Sequence, residues 1–145
     1  MVRKLDMENK RYLGLDIGKK RIGVALSDPL YIIASPLKTI ERQPESRSVA
    51  EIKQLCDEFN VSVIIVWLPL NMNGSLCHQA QDAKYYASLI KENTDFEIIF
   101  EDERLSSFEA ERILIEQNKK PSKNKGLIDM TAAAIVLQEF LNKRR

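Results

Sequence analysis

Residues 11–40, RYLGLDIGKKRIGVALSDPLYIIASPLKTI, decide the fold. RYLGLDI runs through the turn-like GKK into RIGVALS, where Ile22, Val24 and Leu26 alternate with smaller or polar residues. That is the period of a strand. SDPL sets Asp28 before Pro29, suited to a tight turn, and YIIASPLKTI follows as a third strand. Links this short join only antiparallel neighbours, so the chain opens as a three-stranded meander.

Beyond the meander the period changes. After RQPE, the stretch SRSVAEIKQLCDEFN places Val49, Ile52, Cys56 and Phe59 on one helical stripe, and Ser48 with Glu51 is spaced as a capping box. VSVIIVWL is a continuous apolar run, as expected of a buried parallel strand. PLNMNGSL reads as a loop, and CHQAQDAKYYASLIKEN as a helix through Ala80, Ala83, Ala87 and Ile90. DFEIIFEDE is the fifth strand; Ser106 and Glu109 then form a second capping box, opening a helix that ends near Gln117. A basic loop, NKKPSKNKG, leads to the last helix, LIDMTAAAIVLQEFLNK. The order βββαβαβαα predicts an α/β fold: a five-stranded mixed sheet, its first three strands antiparallel, flanked by helices with right-handed crossovers. Residues 1–10 read as an N-terminal extension and 11–145 as one domain.

The 145 residues suffice for a single core, and 44% hydrophobic with 30% charged residues is an ordinary globular balance. The net charge is +1, so affinity for nucleic acid must come from local clusters. Cys56 and Cys77 match no zinc spacing and no disulfide framework; Cys56, among Ile52, Leu55 and Phe59, is expected in the core. No apolar run is long enough to span a membrane, and the charged start MVRKLDMENKR lacks the apolar stretch of a signal peptide. A cytoplasmic protein with no membrane partner is expected.

Three acidic positions stand out. Asp16 interrupts an apolar run, where an unpaired buried charge costs several kcal/mol or takes up a proton. The fifth strand ends in EDERL, which puts Asp102, Glu103 and Arg104 at its C-terminal edge, where open α/β sheets form their sites. Asp129 shares a helical face with Ala132, Ala133, Val136 and Phe140, and is aimed inward from the helix's first turn. Converging carboxylates need cations to balance them. Oxygen-only ligands favour a hard ion, Mg²⁺ or Mn²⁺, and two such ions about 4 Å apart support phosphodiester cleavage. Each acid also has a plainer role: Asp16 in a salt bridge with Lys19, Lys20 or Arg21, Asp129 at a helix dipole, Glu103 in a surface pair with Arg104. Of Asp102 and Glu103, these residues do not say which points inward.

LGLDIGKKRIGVALSDP, LPLNMNGS, and DERLSSFEAERIL followed by IDMTAAAIVLQEFL together resemble the YqgF (RuvX) family. Its members are relatives of the RuvC Holliday-junction resolvases within the ribonuclease H-like fold. The resemblance covers nearly the whole chain after residue 11, in the family's order and spacing. It implies a ribonuclease H-like sheet and a metal-dependent nuclease site, with Asp16, Asp102 or Glu103, and Asp129 as catalytic metal ligands. It further implies an endonuclease that matures the 5′ end of the small-subunit (16S) ribosomal RNA precursor, with resolution of Holliday junctions in branched DNA as the alternative. Two positions depart from the pattern. Trp67 stands where the family usually has glycine, and Cys77 where a small residue is usual. An indole at 67 would fill space a substrate backbone needs, offer a base a stacking surface, or simply pack. His78 reads as a solvated helix-start residue.

Cations surround the acids. Lys19, Lys20 and Arg21 flank Asp16, Arg104 adjoins the acidic pair, and Lys119, Lys120, Lys123 and Lys125 punctuate the loop before the last helix. These could neutralise phosphates, although a lysine-rich loop also serves solubility alone. Asn71 and Ser75 of the LPLNMNGS element complete the expected nucleic-acid contacts, Ser75 at a helix start able to receive a phosphate. The expected partner is structured RNA, with branched DNA as alternative and a pre-ribosomal particle as setting, bound by a monomer or homodimer. Two other readings compete. One is a non-catalytic nucleic-acid- or ribosome-binding protein of the same fold, suggested by Trp67. The other is a sugar-kinase or actin-like ATPase, suggested by LDIGKKRIGVA but needing a second such domain.

Overall fold

Alternation gives the first strand two unlike faces. Leu13, Leu15 and Ile17 point one way, and Tyr12, Gly14 and Asp16 the other. In the computed structural model, residues 10–70, 78–104 and 121–144 are described, with side chains over 10–69, 78–102 and 128–144. The elements are β1 (Arg11–Ile17), β2 (Arg21–Ser27), β3 (Ala34–Glu41), α1 (Glu45–Glu58), β4 (Val61–Leu70), α2 (His78–Asn93), β5 (Glu97–Arg104) and α3 (Pro121–Lys143). The strands form one five-stranded sheet in the order β3-β2-β1-β4-β5. β2 runs antiparallel to β1 and β3, whereas β4 lies parallel to β1 and β5. The predicted mixed sheet, with its antiparallel opening, is the one observed.

One face is apolar across its centre. Leu13, Leu15, Ile22, Val24, Ile64 and Val66 pack against Ile52 and Cys56 of α1 and Ala80, Ala83, Tyr86, Ala87 and Ile90 of α2. Each fully buried aliphatic side chain here stabilises the fold by roughly 1.5–3 kcal/mol. Burial pushes the Cys56 thiol up to about 12, so it packs as an inert apolar group, as expected from its neighbours. The other face is covered by α3, whose Ala133, Leu137, Phe140 and Leu141 meet Tyr12, Ala25 and Ile65. Lys143, in the last turn of α3, ties that end down by pairing with the buried Glu101 of β5. No helix among the described residues is long and apolar enough to cross a membrane.

Three local expectations are corrected. The third strand begins at Ala34, not Tyr31. Asp28 Oδ1 accepts the backbone N–H groups of Ile32 (2.7 Å) and Ile33 (2.9 Å), and Tyr31 takes a φ of 60°, so the link to β3 is longer than SDPL alone. The Ser48–Glu51 capping box does not form. α1 starts four residues earlier, with Pro44 as its N-cap, and the Ser48 backbone N–H already bonds Pro44 O at 3.2 Å. The Ser48 hydroxyl instead meets Glu45 O and the Tyr86 hydroxyl inside the core.

Finally, α3 begins at Pro121, so Lys123 and Lys125 lie on a helix rather than in a loop. Proline suits the first helical position, where its missing N–H would have had no helical partner. Asp129 therefore stands about two turns into α3, beyond the reach of its N-terminal dipole. Pro69 and Leu70 of the expected loop belong to β4; the rest of that loop, Cys77, the helix expected at 106–117 with its capping box, and Lys119 and Lys120 lie outside the described residues.

Candidate active site

Asp16 is the last residue but one of β1 and is only 6% exposed. Strand alternation puts it on the α3 face, beside Gly23 of β2, its cross-strand partner. Gly23 explains how α3 reaches this point. A Cβ there would lie 2.0 Å from Asp129 O and 2.3 Å from the Asp129 carbonyl carbon. Only a residue without a side chain lets the Asp129 backbone rest on the strand next to Asp16. One helical turn further along the sheet, Gly14 does the same for Ala133 and Leu137, with Leu137 Cβ 2.9 Å from where its Cβ would be. The run Ala132–Ala133–Ala134, buried throughout, keeps that side of α3 thin.

The Asp129 side chain is largely buried, and its Oδ2 accepts a hydrogen bond from Arg21 Nε at 2.8 Å. Arg21, the first residue of β2, shares the α3 face with Gly23. Of the three cations considered as partners for Asp16, it is thus Arg21 that holds Asp129. Lys19 and Lys20, on the turn between β1 and β2, are exposed.

At the end of β5, register positions 102 and 103 alternate between the two faces of the sheet. The β4–β5 register pairs Leu68 with Asp102, and Pro69 with Glu103. Asp102 belongs to the alternation of Ile98 and Phe100, which pack with the α1–α2 core, and it is exposed. Position 103 belongs to the alternation of Trp67 and Glu101, on the α3 side with Asp16. The side chains of Glu103, Arg104, Lys123 and Lys125 lie outside the described residues, as do Asn71 and Ser75 altogether. Among the described residues, no three His, Cys, Asp or Glu side chains stand together as a metal site.

Trp67 is 4% exposed and packs against Ala132 and Val136 of α3. Its indole fills the space between β4 and the helix, the packing role, and presents no open face for a base. His78 is exposed at the start of α2, as expected. Sequence reading passed over Gly23 and Arg42. A glycine inside an otherwise well-filled strand is itself a sign of close backbone approach, so Gly23 was readable. Arg42, described below, carries no such sign.

The donor chemistry fits a hard divalent cation. Asp16 and Asp129 bring carboxylate oxygens from two elements that Gly23 holds in contact, and oxygen donors suit such an ion.

Residues 10–143 match the family model described as "RuvX: Holliday junction resolvase". A protein of Trichormus variabilis named "Putative pre-16S rRNA nuclease" is 44% identical over 133 residues, covering 92% of this chain and 88% of its own. A protein of the same name from Roseiflexus sp. is 40% identical over 141 residues, covering 97% of this chain and all (100%) of its own. Among solved structures, Thermus thermophilus RuvC bound to a Holliday junction superposes with a TM-score of 0.54 at 13% identity, covering 93% of this chain and 95% of that one. The fowlpox virus Holliday junction resolvase superposes with a TM-score of 0.55 at 16% identity, covering 93% and 99%. The fold is therefore the ribonuclease H-like sheet of the RuvC resolvases, and the chain belongs to the RuvX family.

Proposed function

We propose that this protein is a divalent-metal-dependent endonuclease that hydrolyses a phosphodiester bond in precursor 16S ribosomal RNA. Membership of the RuvX family makes it a nuclease, a hydrolase of nucleic acid. The finer reading rests on one observation: Gly23 lets the Asp129 backbone sit on β2 directly beside the buried Asp16. Two acids from opposite ends of the chain are thereby held on one face of the sheet.

Asp16, Asp129 and Glu103 are the residues that would hold Mg²⁺ or Mn²⁺. Glu103 is preferred to Asp102 because its register position is on the α3 side, whereas Asp102 is exposed on the other. The ion would supply an activated water and stabilise the leaving oxygen. The chain's own residues do the rest. Burial of Asp16 excludes competing water, and Arg21 orients the Asp129 carboxylate through its 2.8 Å bond. Lys19 and Lys20, exposed on the turn three and four residues after Asp16, neutralise substrate phosphates. Arg104, Lys123, Lys125, Asn71 and Ser75 are proposed to extend that surface. Trp67, buried against Ala132 and Val136, serves as packing rather than as a stacking platform.

The relatives' names favour ribosomal RNA, and the family description names the Holliday junction, so both substrates belong in the test. Purified protein is incubated with precursor 16S RNA or a four-way DNA junction in Mn²⁺. Cleavage of the RNA by the wild type, lost in Asp16→Asn, is the expected result. Equal cleavage by Asp16→Asn would refute the site, and cleavage of the junction alone would refute the substrate.

A further inference from the structure

Arg42 lies between β3 and α1, and its side chain is only 5% exposed. An arginine is rarely buried without partners for its charge and its five N–H donors. Here those partners come from three separate elements. Nη1 donates to Asp82 Oδ2 at 2.6 Å and Nη2 to Asp82 Oδ1 at 2.9 Å, a bidentate pair with α2. Nε donates to Glu45 Oε2 at 3.1 Å, and Nη2 stands 3.0 Å from the same oxygen, at the start of α1. Nη1 also donates to Gly18 O at 2.9 Å. The guanidinium carbon lies 5.1 Å from the centre of the Tyr86 ring. The Asp82 pair holds the Arg42 guanidinium charged, above its usual range, and Arg42 holds the Asp82 carboxyl below its own.

The contact with Gly18 is the informative one. Gly18 opens the turn between β1 and β2, which is closed by Gly18 N–H donating to Arg21 O at 2.9 Å. The Arg42 backbone N–H donates to Lys20 O at 2.9 Å in the same turn. Arg42 therefore grips the turn twice, at Gly18 O through its side chain and at Lys20 O through its backbone. Between those two carbonyls stands Lys19, and both lysines are exposed. The turn also joins Asp16 to Arg21, the partner of Asp129.

We infer that Arg42 is a positioning residue for substrate binding: it fixes the Lys19–Lys20 turn against α1 and α2 so that both ammonium groups meet the phosphate backbone in one register. This rests on the nuclease reading above. Lysine cannot substitute, because its three donors radiate from one nitrogen and cannot keep the two-pronged pair with Asp82 while also reaching Glu45 and Gly18 O. Arg42 touches no reacting atom, so substrate affinity depends on it far more than the chemical step does.

The test is a double-mutant cycle on RNA affinity, read by fluorescence anisotropy with a labelled precursor RNA, beside KM and kcat in Mn²⁺. Arg42→Lys is expected to raise Kd and KM about tenfold and to flatten the salt dependence of binding by one to two phosphate contacts. Its kcat stays within about twofold, since Asp16 is held by the β1 ladder rather than by the turn. Asp82→Asn, which leaves Arg42 its Glu45 and Gly18 contacts, moves the same readouts less. In a Lys19→Gln/Lys20→Gln background, Arg42→Lys adds no further loss. A lower melting temperature with unchanged Kd and salt slope would reduce Arg42 to a structural role and overturn the inference, as would full additivity with the lysine substitutions. Wild-type protein that neither binds nor cleaves the RNA would overturn the nuclease reading itself, and this inference with it.

Discussion

The two faces of the sheet are built to different rules. On the α1–α2 side, every β1 position that faces inward is a large aliphatic residue: Leu13, Leu15, Ile17. On the α3 side, the interleaved residues are Tyr12, Gly14 and Asp16, and their neighbours on β2 are Gly23 and Ala25. The first face maximises apolar area removed from water. The second gives up side-chain volume at Gly14 and Gly23 so that a helix backbone can approach a buried carboxylate. One strand thus carries stability on its odd residues and the candidate chemistry on its even ones. Interior glycines and a buried acid both weaken a strand, and the filled face offsets them.

This contrast can be broken from either side. Leu15→Ala should have a large effect on stability, about 2–5 kcal/mol by chemical denaturation, because it opens a cavity in the filled face. Its folded fraction should retain the wild-type affinity for Mn²⁺. Gly23→Ala should cost about as much, because the new Cβ would meet backbone atoms of Asp129 and Met130 and force α3 away from β2. Unlike Leu15→Ala, it should also weaken Mn²⁺ binding in the folded protein, because Asp129 moves with the helix. A Gly23→Ala protein with native metal affinity would show that the close approach is packing alone.

A smaller effect separates Arg42's anchor from both faces. The Asp82 carboxyl titrates below its ordinary value of 3.8 through its hydrogen bonds from Arg42. The unfolded chain therefore binds that proton first as pH falls. The stabilisation is fully present above 3.8 and is lost as pH drops through the lower, folded value. Asp82→Asn should flatten the acid limb of the melting temperature in that window and leave the neutral region nearly parallel to wild type. An unchanged acid limb would remove Asp82 from the linkage.

Much of this architecture was legible before the structure. Period-two alternation in 11–27 and the continuous run VSVIIVWL identify the strands, since both follow from which faces are buried. The stripe Asp129, Ala132, Ala133, Val136 and Phe140 identified the inward face of α3 for the same reason. Boundaries were less legible. Ser48 had the spacing of a cap, yet Pro44 started the helix first; the lysines of 123–125 suggested a loop, yet Pro121 is compatible with a helix's first turn. The role of Arg42 is not legible because Gly18 and Asp82, the partners that tie it to the turn and to α2, lie 24 and 40 residues away and share no period with it. Trp67 could be weighed only once Ala132 and Val136 were seen beneath it.

The most direct test asks which face the metal uses. Calorimetric titration of Mn²⁺ into wild type, Asp102→Asn and Glu103→Gln compares two adjacent residues that the β4–β5 register assigns to opposite sides. Binding that survives in Asp102→Asn and falls at least about tenfold in Glu103→Gln is the predicted result. The reverse pattern, with Asp102→Asn losing the ion and Glu103→Gln keeping it, would contradict the account.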